Sequence, residues 1–436
     1  MNRRLLLLSI GLLLIGGTLG VPSLAAADSP QPDIQNCIQH ERHDAYQTAS
    51  DDVIVSVGQT DNNSIVRYTF IGTSGEPQFS VSTPRGLIIT NASGFEIDNK
   101  NVERNYNADR PWIEVSLGSP YANISYTASE HHVVVPTIDS RDVELFHQPV
   151  STGYAGAEYI LLGDYELATA KEGCQRIRIV VPDSVSLSRS PDAYAEAIAT
   201  AGSELSIGPK YRVVTGFVAP TDTGKRNGLT PNPIQDDQPA ADFYISPRAK
   251  LTNPQNTWVH EYIHTRQTTL RQRWVAEGSA TYFTAQYSVE KGWISARERD
   301  RYFAKRAAPN GTPDMANIRA PEYIRGAFFM MEVAEDVEKT NTSIEDVYRA
   351  VNTGTNSYRQ PKRVGTDDFE RAVESETNQS VSYSNPMVEP VKISYMVIPD
   401  WWPESLKEGA WIQLIIVSLF VGTVMYSIRD GLNDNQ

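Results

Sequence analysis

The chain has 436 residues and a formal net charge of -14, with 53 acidic side chains against 39 lysines and arginines. That balance argues against a nucleic-acid partner, which calls for a basic face, and suits an acidic soluble surface. The length is enough for two domains and a substantial core.

Arg3 and Arg4 precede an apolar run from Leu5 to Ile15, and Ala25-Ala26-Ala27 supplies the small residues that a signal peptidase reads. Residues 1–27 are therefore expected to be a signal peptide. The alternative is an uncleaved anchor, disfavoured because the run is shorter than the ~20 residues that span a bilayer. Cys37 and Cys174 fall in the exported part, where an oxidising compartment permits a disulfide without requiring one. Six Asn-x-Ser/Thr sequons, at Asn62, Asn91, Asn123, Asn310, Asn341 and Asn378, fit an exported chain.

Residues 28–155 read as a β-rich N-terminal domain. Val53, Val55 and Val57 alternate with other residues, and Ile65 to Ile71, Trp112 to Val115 and His132 to Val135 are further short candidates between Gly, Asn, Asp and Pro. Strands at this spacing predict a β-sandwich. From 156 to 380 the period changes. Ile177 to Val181 reads as a strand, and Ser190-Pro191 as an N-cap with proline at the first helical position. Tyr211 to Val218 and Asp242 to Ile245 are further strands, with a loop from Pro220 to Pro239. Helices are expected at about 254–270, 274–289, 295–307, 321–338, 343–352 and 366–376, the first capped near Asn253-Pro254. Strands followed by helices predict an α+β fold.

Residues 381–409 read as a juxtamembrane stalk. Ala410 to Ile428 carries no charge and is long enough to cross a hydrocarbon core, with Trp401, Trp402 and Trp411 placed for the lipid boundary. A buried core helix is the alternative for this segment. The expectation is a single-pass protein of the cell membrane, its bulk extracytoplasmic and residues 429–436 a cytoplasmic tail.

Chemistry concentrates in Trp258-Val259-His260-Glu261-Tyr262-Ile263-His264. Four residues apart on a helix, His260 and His264 share a face and can aim two imidazoles at one ion. Glu261 stands beside them, able to reach a bound water rather than the metal. Glu277 lies in an otherwise apolar stretch, Trp274 to Phe283, where a bare carboxylate is costly to bury. A zinc ion would complete a two-histidine, one-glutamate site; a salt bridge from Arg271 or Arg273 is the alternative. His40-Glu41-Arg42-His43 has the wrong order for this motif and reads as a solvated stretch. Arg266, beside the site, reads as more often structural than substrate-touching.

HEYIH followed by WVAEGSATYF resembles the gluzincin signature of the Peptidase MA clan, with the aminopeptidase N and glycyl-aminopeptidase branches as relatives. Tyr323-Ile324-Arg325-Gly326-Ala327 is similar to their Y-x-K-G-A motif, with arginine for lysine. The resemblance implies a thermolysin-like catalytic domain and gives Tyr323 the role of binding the oxyanion. Two departures stand out. The spacer between His264 and Glu277 is shorter than in the aminopeptidase branches, and no G-x-M-E-N-like segment is found for a substrate's amino group. Its expected place is the edge strand before the active helix, taken here as Ala241 to Pro247, with Asp242 as a substitute. The expected function is a membrane-anchored zinc peptidase acting on peptides or proteins, endopeptidase or aminopeptidase being left open. The alternatives are a surface binding or scaffold protein that keeps the fold without turnover, and a structural cell-surface protein whose β-domain does the work.

Overall fold

A computed structural model describes residues 37, 53–60, 65–71, 80–82, 88–98, 101–104, 110–116, 127–128, 132–140, 143, 145–221, 228–230, 241–267, 272–307, 321–353 and 364–387. The expected signal peptide, the membrane segment 410–428 and the tail lie outside the described residues, as do His40 to His43. Among the described residues no helix is long and apolar enough to cross a membrane. Of the sequons, Asn91, Asn341 and Asn378 are described, and all three are exposed.

The chain is a mixed α+β structure in which strands come first. β1 (Val53–Gln59), β2 (Ile65–Ile71), β4 (Ile88–Ser93), β7 (Trp112–Ser116) and β11 (Leu145–Pro149) form a five-stranded sheet in the order β11-β1-β2-β7-β4. β3 (Ser80–Ser82), β5 (Phe95–Asp98), β6 (Asn101–Arg104) and β10 (Asp139–Ser140) form a second sheet. A third contains β8 (Thr127–Ala128), β9 (Val133–Pro136), β12 (Gly153–Ala155) and β13 (Tyr159–Leu162). The reason is visible in β1: Val53, Val55 and Val57 are buried while Ile54 and Ser56 between them are not, the period-2 signature of a half-buried strand. These side chains share one core with Val66, Tyr68 and Ile113 of the same sheet, Val81 of the second and Val133, Val135 and Ile160 of the third, so the three sheets are packed together.

The fourth sheet is the scaffold of the helical half. It comprises β14 (Tyr165–Glu172), β15 (Gln175–Pro182), β16 (Val213–Val218), β17 (Gly228–Leu229) and β18 (Asp242–Ile245), in the order β14-β15-β16-β18-β17. β15, β16 and β18 are parallel, and the two edge strands run antiparallel to them. α1 (Pro191–Glu204) links β15 to β16. As the sequence predicts, Ser190 caps it, accepting from the Ala193 amide, with proline in the first turn. Side chains alternate between two cores. Ile177, Ile179, Val181, Val214, Val218, Phe243 and Ile245 face the helices. Val180, Phe217 and Tyr244 face the other way, onto Val134, Tyr159 and Leu161 of the third sheet. Its central strands β16 and β18 are buried throughout, covered on both faces.

Among the described residues six helices follow: α2 (Thr257–His264), α3 (Arg273–Glu290), α4 (Ala296–Ala307), α5 (Pro321–Glu338), α6 (Ile344–Thr353) and α7 (Thr366–Thr377). α2 is shorter than the sequence predicts. Its cap is Asn256, at φ 27°, whose side chain accepts from the Val259 amide; asparagine is among the few residues that tolerate such backbone. Asn253 instead closes the preceding turn, accepting from the Gln255 and Asn256 amides. Trp258 anchors α2, fully buried, its ring 4.3 Å from Tyr194 of α1 and its indole N–H donating to Ala249 O at 3.0 Å.

Two features fix the periphery. Cys37 and Cys174 are joined in a disulfide, their Cα atoms 5.7 Å apart. In the chain-entropy model a loop this long contributes about 5 kcal/mol. The first residues of the expected stalk pack onto the helices: Tyr383 is buried against Phe329 and Val381 and Met387 lie on the same core.

Candidate metal centre

The site is built where α2 meets α3 and α5. His260 and His264 sit on one face of α2, and Glu277 comes from the first turns of α3. Gly278, next to Glu277, is a contact between backbones: a Cβ there would meet the Gly326 Cα at 2.4 Å. A Cβ on Gly326 would meet Trp274 O at 2.1 Å. Only two glycines let α3 and α5 cross this closely. The crossing carries Glu277 and Tyr323 to the same place, one residue and three residues from their glycines. The ring of Tyr323 stacks beside His260, centroids 5.9 Å apart and planes 16° from parallel.

Three donor atoms form a nearly equilateral triangle. His264 Nε2 is 3.2 Å from His260 Nε2, and Glu277 Oε2 is 3.3 Å from each. Donors bound at zinc's usual distances and tetrahedral angles stand about 3.3–3.4 Å apart. The triangle therefore fits that ion. Among the described residues it is the one cluster of three His, Cys, Asp or Glu suited to hold a metal.

The surroundings favour positive charge at that point. Burial works to lower the pKa of His264, but its hydrogen bond to Glu277 and the charges of Glu277 and Glu261 prevail and raise it to about 9. Burial works to raise that of Glu277; the hydrogen bonds and charges of His260 and His264 outweigh it and hold the carboxyl well below the usual range. The salt-bridge alternative for Glu277 is partly realised. Arg273 Nε lies 3.8 Å from Glu277 Oε1 and 3.2 Å from Glu322 Oε1, on a side chain 65% exposed. The glutamate thus turns one oxygen to the histidines and the other toward arginine. Arg271 lies outside the described residues.

Glu261 is buried beside the triangle. Thr230, just past β17, shares its hydroxyl proton between Glu261 Oε2 and Glu261 O, both at 2.9 Å. Burial raises the Glu261 pKa against the opposing charges of His264 and His260. Gly228 passes so close that a Cβ would meet Glu261 Cγ at 2.6 Å. The Tyr323 hydroxyl is pushed above its ordinary value, first by burial and then by Glu277 and Glu261, so it stays protonated and able to donate.

The structure corrects the edge strand. Asp242 to Ile245 is not at the edge: β18 lies between β16 and β17, and the edge is β17, inside what the sequence presents as a loop. Asp242 is 0% exposed, its Oδ2 accepting from the Glu158 amide at 2.8 Å and the Tyr159 amide at 3.4 Å. It pins the β12–β13 turn to the sheet rather than standing open to a substrate amine. Arg266 is also settled as structural. It is fully buried and donates to Gly208 O, Pro209 O and the Tyr262 hydroxyl. Arg325, in the lysine position of the Y-x-K-G-A pattern, donates to Met387 O.

Sequence reasoning missed Thr230 and Gln267. Gln267 accepts from His264 Nδ1 at 2.7 Å and belongs to no motif considered there. Its one signal is position, three residues after a histidine at the end of a helix.

Neither a protein-family model nor a curated protein matches the chain. Solved structures do. An aminopeptidase N family protein from Idiomarina loihiensis aligns with a TM-score of 0.51 at 11% identity, over 76% of this chain and 74% of that one. Legionella pneumophila aminopeptidase A, in complex with aspartic acid, aligns with a TM-score of 0.41 at 11% identity over 78% of this chain, which spans 49% of that chain. The first likeness shows that the chain shares the aminopeptidase N fold.

Proposed function

We propose that the chain is a zinc-dependent peptidase of the gluzincin kind, with a short spacer between its second histidine and its glutamate. In this reading a sandwich-like β-domain precedes a thermolysin-like catalytic domain, and residues 410–428 anchor the protein with its bulk outside the cytoplasm. The observation that carries it is the donor triangle of His260, His264 and Glu277, flanked by a buried Glu261 and by the Tyr323 hydroxyl. The fold shared with an aminopeptidase N family protein supports peptide-bond hydrolysis as the reaction.

His260, His264 and Glu277 would hold the ion. Bound there, zinc supplies Lewis acidity toward water and the scissile carbonyl at neutral pH. Glu261, oriented by Thr230, takes the proton of the attacking water and returns it to the leaving amine. Tyr323, kept protonated by burial, donates to the oxyanion as negative charge develops. Arg273 holds Glu277 from the solvent side, leaving its other oxygen for the ion.

Elemental analysis of the full chain tests the reading. About one zinc per chain is expected in the wild type and none in His264→Ala, while Glu261→Gln keeps its zinc and loses peptide turnover. A wild type that takes up no zinc when it is offered at neutral pH would overturn the metal site, and normal turnover in Glu261→Gln would overturn the mechanism.

A further inference from the structure

Gln267 lies outside the donor triangle, yet it touches one of its three ligands and the backbone just before another. The residue follows α2 through a turn in which the amides of Thr265, Arg266 and Gln267 bond back three residues. That turn folds the side chain under His264, where it is 4% exposed. Its Nε2 stands 2.9 Å from Ala276 O, 3.0 Å from Ser279 Oγ and 3.1 Å from the Tyr348 hydroxyl. Ala276 O can only accept, so the amide nitrogen must face it, and the orientation of the amide is set by that bond. Oε1 is left facing His264 Nδ1 at 2.7 Å.

The tautomer follows. An amide oxygen can only accept, so His264 must carry a proton on Nδ1. The neutral ring then presents the bare lone pair of Nε2 to His260 and Glu277, the form a metal ligand needs. The other end of the same amide is bonded to the carbonyl of Ala276, immediately before Glu277. Gln267 therefore couples the orientation of one ligand, on α2, to the backbone that carries another, on α3. Ser279 and Tyr348 complete the brace. The Ser279 hydroxyl lies 2.7 Å from Val275 O in its own helix and 2.9 Å from the Tyr348 hydroxyl on α6.

We propose that Gln267 is a positioning residue of the metal centre, fixing the His264 tautomer through Oε1 and the spacing of α2 and α3 through Nε2. The proposal rests on the zinc-site reading above. Its specific content is that the oxygen facing Nδ1, not only the packing of the amide, sets metal affinity. Gln267→Met fills a similar volume and offers no such acceptor. Gln267→Glu loses the same N–H donors but keeps an oxygen there. Tyr348→Phe weakens the brace and leaves the His264 bond alone.

The test is the zinc dissociation constant of the full chain, measured by competition with a chelator, alongside the melting temperature of the metal-free protein. Gln267→Met is expected to bind zinc about 10–100-fold more weakly than the wild type. Gln267→Glu is expected within about threefold of it, a split that loss of the helix brace alone does not produce. Tyr348→Phe is expected to melt earlier with affinity likewise within about threefold. Equal losses in both Gln267 variants, or Gln267→Met binding as tightly as the wild type, would overturn the role. If Gln267→Met does not fold, Gln267→Glu decides alone: a loss beyond about tenfold overturns the role, and retained affinity supports it. A wild type that binds no zinc fails one step earlier, by removing the site itself.

Discussion

Two regions deliver groups to the centre, and they are built by different rules. The helical junction of α2, α3 and α5 brings His260, His264, Glu277 and Tyr323, each from a motif of a few consecutive residues. The sheet edge brings only Thr230, which follows a two-residue strand that precedes β18 in the chain and lies outside it in the sheet. At the junction, geometry follows from helix periodicity and two glycines. At the edge, it follows from pairing between strands, and the responsible residue carries no local signature.

This difference sets what was legible. The i, i+4 histidines are readable because 3.6 residues per turn leaves them no choice of face. Glu277 is readable as a carboxylate in an otherwise apolar stretch, and Tyr323 through the resemblance of its motif to Y-x-K-G-A; the glycines of the two motifs, Gly278 and Gly326, are packing requirements. The β-rich first half shows itself through alternation, as in Val53, Val55 and Val57. The edge was misplaced because Gly228-Leu229 is too short to alternate and is set between long polar, proline-rich stretches, whereas Asp242-Phe243-Tyr244-Ile245 has the apolar run of a strand buried on both faces. That run is in fact the signature of an interior strand. Gln267 was invisible for a related reason: nothing in the sequence says that Ala276 O and Tyr348 will stand around its amide.

The largest effect expected at the junction is on turnover. Tyr323→Phe removes the proposed oxyanion donor and leaves the ring against His260. Its kcat should fall about 10²–10³-fold, the usual cost of one such donor, with zinc content unchanged. Steady-state kinetics on a cleaved peptide decide this, and a fall of less than about fivefold would take Tyr323 out of the reaction.

Next comes the crossing itself. Gly326→Ala puts a methyl group against Trp274 O, where backbone and not a flexible side chain must move. Destabilisation of about 1–3 kcal/mol is expected from overpacking of this kind, read as an earlier midpoint in urea. The variant should lose zinc affinity as well, because α3 and α5 can separate only by shifting Glu277. Loss of stability with unchanged zinc affinity would show that the glycines serve packing alone, and that the two helices hold their catalytic groups independently.

The smallest effect, and the one that tests the comparison most sharply, is at the sheet edge. Thr230→Val keeps the shape and removes the hydroxyl that Glu261 Oε2 and the Glu261 carbonyl share. A hydrogen bond to a charged group contributes about 1.5–3 kcal/mol, but Glu261 remains packed against Gly228, so only part of its orientation is lost. About tenfold in kcat is expected, equivalent to roughly 1.4 kcal/mol. Zinc content should stay near that of the wild type, since the hydroxyl touches no ligand, while the melting temperature should fall modestly with the lost buried hydrogen bond. Thr230→Ser, which restores the donor on a smaller side chain, should recover most of the rate. If valine keeps the rate and serine loses it, Thr230 acts through its methyl group and the edge strand only encloses the site. If serine recovers the rate and valine does not, the sheet edge takes part in catalysis through one oxygen, and the division between a helical half that binds metal and a sheet that orients the base holds.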